Sequence, residues 1–323
     1  MKPFRSRIIS ASRRTDIPAF YSDWFINRIR EGYALVQNPF NAKMFSRVDL
    51  SPARVDVVVF WTRNARPILR HLDELSRNGY RYYFQYTLNG YPKILEPGVP
   101  SPSEAIAAFR DLSRAIGKEK VIWRLDPIVV SDVTSEDWIC KNFVGLARQL
   151  QGFTDRVVIS FVYFYTKVTR NLNRATGSMG VKFYDVHGDT ERLLRIASRL
   201  SEIARYRSMS ISSCAEIADL TKIGIAQGKC ISDDLISSIF GITVNGQKDK
   251  YQRKPCRCIS SQDIGRYDTC VHGCIYCYAN SNKELSARNH ASHDPSSPAL
   301  FGNGRADVPA EACGHLPLFI GLQ

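Results

Sequence analysis

No stretch of the 323-residue chain is apolar over the roughly 20 residues that a bilayer-spanning helix needs. The longest apolar runs, 55–61 and 157–165, contain or border charges. No Gly-x-Gly-x-x-Gly follows the first strand-like segment, which argues against a dinucleotide-binding sheet. There is no block of five or more Lys or Arg residues, although the net charge is +13. The excess is dispersed, which suits either a solvated basic surface or a preference for anions such as carboxylates, phosphorylated metabolites or nucleic acid. Residues 1–14 are basic but have neither the apolar core nor the small-residue cleavage site of a secretory signal, so a cytoplasmic location is expected. No internal repeat is visible. Cysteine is nearly missing from the first two thirds, where Cys140 alone precedes Cys214.

What is present fits a folded chain. With 44% hydrophobic and 23% charged residues, disordered and fibrous classes are excluded, and the length suits one large domain or two smaller ones. β-branched and aromatic runs predict strands at 7–11, 55–61, 80–87, 120–125, 156–163 and 209–213, with a weaker one at 33–36. Amphipathic patterns predict helices at 19–31, 65–77, 103–116, 135–150, 190–206 and 233–240, several opened by hydroxyl or carboxylate caps. Alternating β-α units, with several strands (notably 55–60 and 157–162) apolar almost throughout, predict an α/β fold: a (β/α) barrel, partial or closed, with a doubly wound open sheet as the alternative. Three segments are expected. Residues 1–216 carry the barrel units, 217–289 a final unit with a cysteine-rich segment packed on the barrel, and 290–323 an irregular tail.

In a barrel, functional residues stand where strands run into the following loops. Polar residues at those places include Arg13, Arg14 and Asp16, then Arg124 and Asp126, then Ser160 and Tyr163, and then Cys214 and Glu216. Arg13, Arg14 and Asp16 suit either an anionic substrate group or the fastening of a nearby loop. Arg124 and Asp126 are two apart and so leave one face of their strand, either towards a ligand or as a structural ion pair.

Seven of the nine cysteines lie between Cys214 and Cys277, with Cys313 in the tail. A disulfide framework is unexpected in a reducing compartment and a chain this long, so the cluster points to metal or redox chemistry. Cys270, Cys274 and Cys277 form C-x3-C-x2-C, with Tyr276 before the third cysteine and Gly273 free to make a tight turn. Three thiolates in one loop suit three irons of a [4Fe-4S] cluster. The competing assignment is zinc, with Cys258 or His272 as fourth ligand. Cys214, Cys230, Cys256 and Cys258 make four further thiols, enough for a second [4Fe-4S] cluster or a zinc site, unless Cys214 and Cys230 are simply buried. Cys140 is expected in the core, Cys313 as a free thiol, and His272 as a hydrogen-bonding residue.

The C-x3-C-x2-C loop resembles the cluster motif of the radical S-adenosylmethionine (SAM) superfamily. The resemblance implies an open iron that chelates SAM, and an electron that breaks a carbon–sulfur bond to give a 5′-deoxyadenosyl radical. It also implies an electron donor such as a flavodoxin or ferredoxin. In most of that superfamily the motif follows the first barrel strand, whereas here it follows the last; the barrel's circularity still brings such a loop to the mouth beside the first strand. No Gly-Gly-Glu-type segment is evident, so by position Arg124 is the candidate for the SAM carboxylate, and Asp126 or Glu216 for its ribose or amino group. Trp61, Tyr86, Trp123 and Tyr163 are expected to shelter the site.

Residues 9–18 (ISASRRTDIP), 123–127 (WRLDP), 263–280 and 293–298 (HDPSSP) together resemble the bacterial family catalogued as domain of unknown function 1848. That resemblance covers nearly the whole chain and implies no particular reaction. The expected function is therefore a radical-SAM-like iron–sulfur enzyme acting on an unknown substrate, with an anionic compound as the candidate. The alternative is a metal-bound nucleic-acid-binding or electron-transfer protein without SAM chemistry.

Overall fold

The computed structural model describes residues 7–302, so Cys313 lies outside it. Eight strands form one sheet: β1 (Arg7–Ala11), β2 (Val55–Thr62), β3 (Tyr82–Thr87), β4 (Val121–Ile128), β5 (Arg156–Phe161), β6 (Ser210–Cys214), β7 (Ala226–Gly228) and β8 (Gln262–Asp263). Every ladder is parallel, and the order across the sheet is β7-β6-β5-β4-β3-β2-β1-β8. From β1 to β7 each strand lies beside its predecessor. β8 then returns to the free edge of β1. Because all strands run the same way, all their C-terminal ends lie on one side of the sheet, where loops can build a site. The two edges approach each other just outside the strands, where the Ile259 N–H donates to the Ile231 carbonyl at 3.1 Å.

The central strands are largely apolar because both faces are covered. On one face Val58, Phe60, Phe84, Tyr86, Trp123 and Ile159 pack against helices. On the other, Val57, Val59, Tyr83, Ile122 and Val158 pack with Leu235 and Ile236 of the helix Asp233–Phe240 and with Cys230, Cys256 and Cys258. The second cysteine group therefore borders a core.

All six sheet strands that the sequence predicts are present as β1 to β6. β7 and β8, three and two residues long, are too short to show a two-residue period. The segment 33–36 is a strand, but it belongs to a separate antiparallel hairpin, Tyr33–Asn38 with Asn41–Asp49. The expected helix 19–31 begins earlier and is broken into Ile17–Phe20 and Ser22–Glu31, with the Asp16 side chain capping the Ala19 N–H at 3.0 Å. Likewise 65–77 is two pieces, Arg66–Leu69 and Leu72–Arg77. Pro102–Ile116 starts on a Ser101/Glu104 capping box, as its sequence predicts. Two further helices lie outside the predicted set. Thr166–Met179 has no side-chain cap among the described residues, although Val168, Leu172 and Ala175 make an apolar stripe, and Lys283–Ala291 buries Ser286 alone and so shows no such stripe. The segment after it wraps the protein, with Trp24 and Arg28 donating to the carbonyls of Ser297 and Ser296 at 2.9 and 3.0 Å. Among the described residues, no helix is long and apolar enough to cross a membrane.

Candidate functional site

At the C-terminal ends of the strands lies a cavity of about 260 Å³. Cys214, Cys230, Cys256, Cys258, Cys270, Cys274 and Cys277 all line it. Cys214 ends β6, Cys230 follows β7, Cys256 and Cys258 precede β8, and the other three follow β8. The return of β8 to β1 is what brings the last loop beside residues 12–16.

One carboxylate ties these segments together. Asp263 accepts hydrogen bonds from the hydroxyls of Ser10 (2.9 Å) and Ser12 (2.6 Å), and from the N–H groups of Arg13 (2.8 Å) and Gly265 (3.0 Å). Arg14 Nε donates to it at 3.0 Å, and Arg14 Nη2 reaches the Asp263 carbonyl at 3.1 Å. Burial alone would raise the pKa of Asp263, but Arg14 and the other donors hold it below the ordinary carboxylate range.

The cysteine loop is held from two further sides. His272 Nε2 lies 2.8 Å from Asp16 Oδ2, and its Nδ1 lies 3.3 Å from the Gly98 carbonyl oxygen. Gly98 donates its N–H to the His272 carbonyl at 2.8 Å, and a Cβ at this position would sit 2.8 Å from the carbonyl oxygens of Val271 and His272. That approach requires glycine. Behind the loop, Glu96 accepts from Tyr276, from Asn89 at 2.9 Å and from Arg63 at 2.6 Å.

The four-cysteine group is in mutual contact. Cys214 and Cys230 sulfurs are 3.2 Å apart, Arg124 Nη1 is 2.8 Å from the Cys230 sulfur, and the Ile231 N–H points at the Cys258 sulfur at 3.4 Å. As free thiols they share protons. Hydrogen bonds from neighbouring thiols pull Cys258 well below the usual thiol range and Cys214 down to about 7, and push Cys230 and Cys256 up. In the three-cysteine loop burial pushes every thiol up, Cys274 to about 12 in spite of Arg63.

Among the described residues, no three His, Cys, Asp or Glu side chains stand in ligating geometry. The donor chemistry does fit a thiophilic metal centre. The described cysteines form no disulfide, three of them share one loop, and Gly273 at φ +67° supplies the turn. A metal ion that coordinates a thiol deprotonates it, so the raised pKa values of the free thiols are no bar to binding.

The other candidates divide. Arg124 and Asp126 both reach the cavity, but they pair with each other (Nε to Oδ2, 3.0 Å). Arg124 Nη1 also donates to Gln85 Oε1 at 3.1 Å, and Asp126 also accepts from Ser160. Glu216 is not among the lining residues. Its carboxylate lies 3.2 Å from His187 Nε2, accepts from Tyr163 at 3.2 Å and accepts the Ile217 N–H at 2.9 Å. Arg13, Arg14 and Asp16 all line the cavity, but Arg14 is fastened to Asp263 and Asp16 to His272. Trp61 and Tyr163 line the cavity, but Tyr86 and Trp123 do not shelter it. Strand alternation turns them to the helix-covered core, where Trp123 stacks on Phe143. Cys140 is buried in that core, and His272 is a hydrogen-bonding residue, as the sequence predicts.

The family model described as domain of unknown function (DUF1848) matches residues 8–279. The chain belongs to this family. The DUF1848 match runs from β1 to just beyond the cysteine loop, and so takes in the Asp263 knot and all seven cavity cysteines. Neither a curated protein nor a solved structure matches the chain. Asp263 falls in one of the motifs that carry the family resemblance, a signal that could have singled it out. The Arg63–Glu96 pair and Arg253, whose guanidinium lies 4.7 Å from the Tyr163 ring centroid, have no such signal.

Proposed function

We propose that this protein is a radical-SAM-type iron–sulfur enzyme in which Cys270, Cys274 and Cys277 hold a [4Fe-4S] cluster. The observation that carries this reading is the convergence of both cysteine groups on one cavity at the C-terminal ends of a parallel sheet. The strand order suits a (β/α) barrel whose seam lies between β7 and β8, with the cluster loop moved to the C-terminal end of the chain. When bound, the cluster and SAM would supply reductive carbon–sulfur cleavage and a radical that abstracts hydrogen.

The chain's own residues then have definite tasks. Asp16, His272 and Gly98 hold the loop, and Arg63 offsets thiolate charge at Cys270 and Cys274. Trp61 and Tyr163 exclude water from the cavity. Cys214, Cys230, Cys256 and Cys258 hold a second centre, iron–sulfur or zinc, with Arg124 donating to Cys230. Because Arg124 and Asp126 are engaged with each other, their part in holding SAM is to present the outer edge of an ion pair. Lys93, Arg174 and Lys283 line a recess on the far side of Cys274 and Cys277, a basic approach for an acidic electron donor such as a flavodoxin or ferredoxin. Such chemistry belongs in a reducing compartment, the cytoplasm. Neither an electron carrier nor a nucleic-acid-binding module calls for a cavity between two thiol groups.

The test is an anaerobic iron and sulfide count on reconstituted protein, followed by a search for methionine and 5′-deoxyadenosine after reduction with SAM. Alanine at all three loop cysteines should remove the visible charge-transfer absorption. Protein that holds one zinc and no iron would sink the proposal.

A further inference from the structure

Arg13 and Arg14 are adjacent in sequence and opposite in role. Arg14 is engaged by Asp263, whereas the Arg13 guanidinium, 7% exposed, makes no hydrogen bond through Nη1 or Nη2 among the described residues. The Asp249 carboxylate stands off at 4.0 Å, and the guanidinium carbon lies over the Trp61 ring, 5.1 Å from its centroid. In the same loop Thr15, 6% exposed, has a buried hydroxyl oxygen with no partner among the described residues. Both residues line the cavity. Leaving a buried arginine fork and a hydroxyl unpaired is costly, and a ligand that accepts from both removes the cost. An arginine fork matches the paired oxygens of a carboxylate or phosphate.

We infer that Arg13 and Thr15 form an oxyanion subsite in the cavity, which takes the carboxylate or phosphate group of the substrate. Arg124, which donates to Cys230, has its guanidinium 5.2 Å from the same Trp61 ring centroid, and among the influences that restore charge on buried Arg13, Cys258 and Cys256 are the strongest. The subsite thus lies towards the four-cysteine group, away from the loop that would hold the SAM-binding cluster. That the ligand is a substrate rests on the enzyme reading above; binding of an oxyanion does not, so the test measures binding.

Equilibrium dialysis of the full-length protein, prepared anaerobically, would use radiolabelled inorganic phosphate and radiolabelled acetate at constant ionic strength. One of the two should bind saturably at one site per chain and resist competition by chloride; which one does so tells phosphate from carboxylate. Arg13→Gln should weaken that binding roughly 10- to 100-fold, the range for hydrogen bonds to a charged group, and leave metal content unchanged. Arg13→Lys, which keeps the charge and loses the fork, and Thr15→Val should each weaken it less. These two also serve as the test if Arg13→Gln does not fold by circular dichroism. S-adenosylhomocysteine should leave the binding intact. The inference is overturned if neither anion binds saturably, or if the folded variants bind like the wild type. It is equally overturned if Arg13→Gln loses metal, which would make Arg13 a charge partner of the thiolates, or if S-adenosylhomocysteine displaces the anion, which would assign Arg13 to SAM.

Discussion

Asp263→Asn changes one charge at the point where β8 is tied to β1. The substitution keeps the volume but turns one acceptor oxygen into an NH2 group, in a place where two hydroxyls and two backbone N–H groups already donate. It also takes the negative partner from Arg14, whose side chain is 3% exposed and lies 3.0 Å away. Breaking a buried ion pair from one side costs about 3–5 kcal/mol, because the remaining charge stays buried. At about 2–4 °C per kcal/mol for chains of this general size, Tm should fall by roughly 6–20 °C at neutral pH, followed by circular dichroism. Removing both charges, with Arg14→Met added to Asp263→Asn, should recover part of the loss, since no charge is then left unpaired. The pH dependence has a fixed sign. The folded pKa of Asp263 lies below the unfolded value near 3.9, so its contribution is complete above about pH 4 and is lost as pH falls through the folded pKa. The gap between wild type and variant should therefore close in acid. A neutral-pH Tm within about 2 °C of wild type would refute the idea that this carboxylate organises the mouth of the cavity.

Three more outcomes follow from the same geometry. The double variant Cys256→Ala/Cys258→Ala should lose the metal of the four-cysteine group and lower stability while the 270–277 loop keeps its iron; unchanged total metal content would count against a second centre. Gly98→Ala places a methyl group 2.8 Å from two backbone oxygens of the cysteine loop, so stability should drop by about 1–3 kcal/mol and iron uptake should fall, as read by melting and metal analysis. Burial lowers the pKa of His187 but the Glu216 carboxylate, with Asp185, more than restores it, and burial raises that of Glu216 but His187, with the Ile217 N–H and the Tyr163 hydroxyl, more than reverses the effect. The pair therefore stabilises the fold most fully between the unfolded values, about pH 4.5–6.5, and less as pH rises through the folded pKa of His187 or falls through that of Glu216. Glu216→Gln should lower the His187 pKa in an NMR titration, and an unmoved titration would show the pairing to be unimportant.

Local features of the chain are legible in its sequence alone. The six longer strands carry enough β-branched and aromatic residues to declare themselves, and the helices opened by Ser101 and Ser135 carry their caps in the sequence. The spacing of Cys270, Cys274 and Cys277 places three thiols in one loop whatever the fold, because so short a segment cannot separate them. Membership of the family is legible too, since its motifs are contiguous.

Relations between distant segments are not legible in that way. Nothing in adjacent Arg13 and Arg14 says which will meet Asp263, some 250 positions away, and which will be left facing a cavity. Trp61 and Trp123 both stand near strand ends, yet the pleat sends one to the cavity and the other to the helices, and the face that becomes the site depends on what covers the sheet. β7 and β8 are too short to have a period, although β8, by pairing with β1, brings the cysteine loop to the start of the chain. Local periodicity reflects one face of one element. The shared cavity of the two cysteine groups arises from the order in which eight strands are laid side by side, and that order is a property of long-range packing.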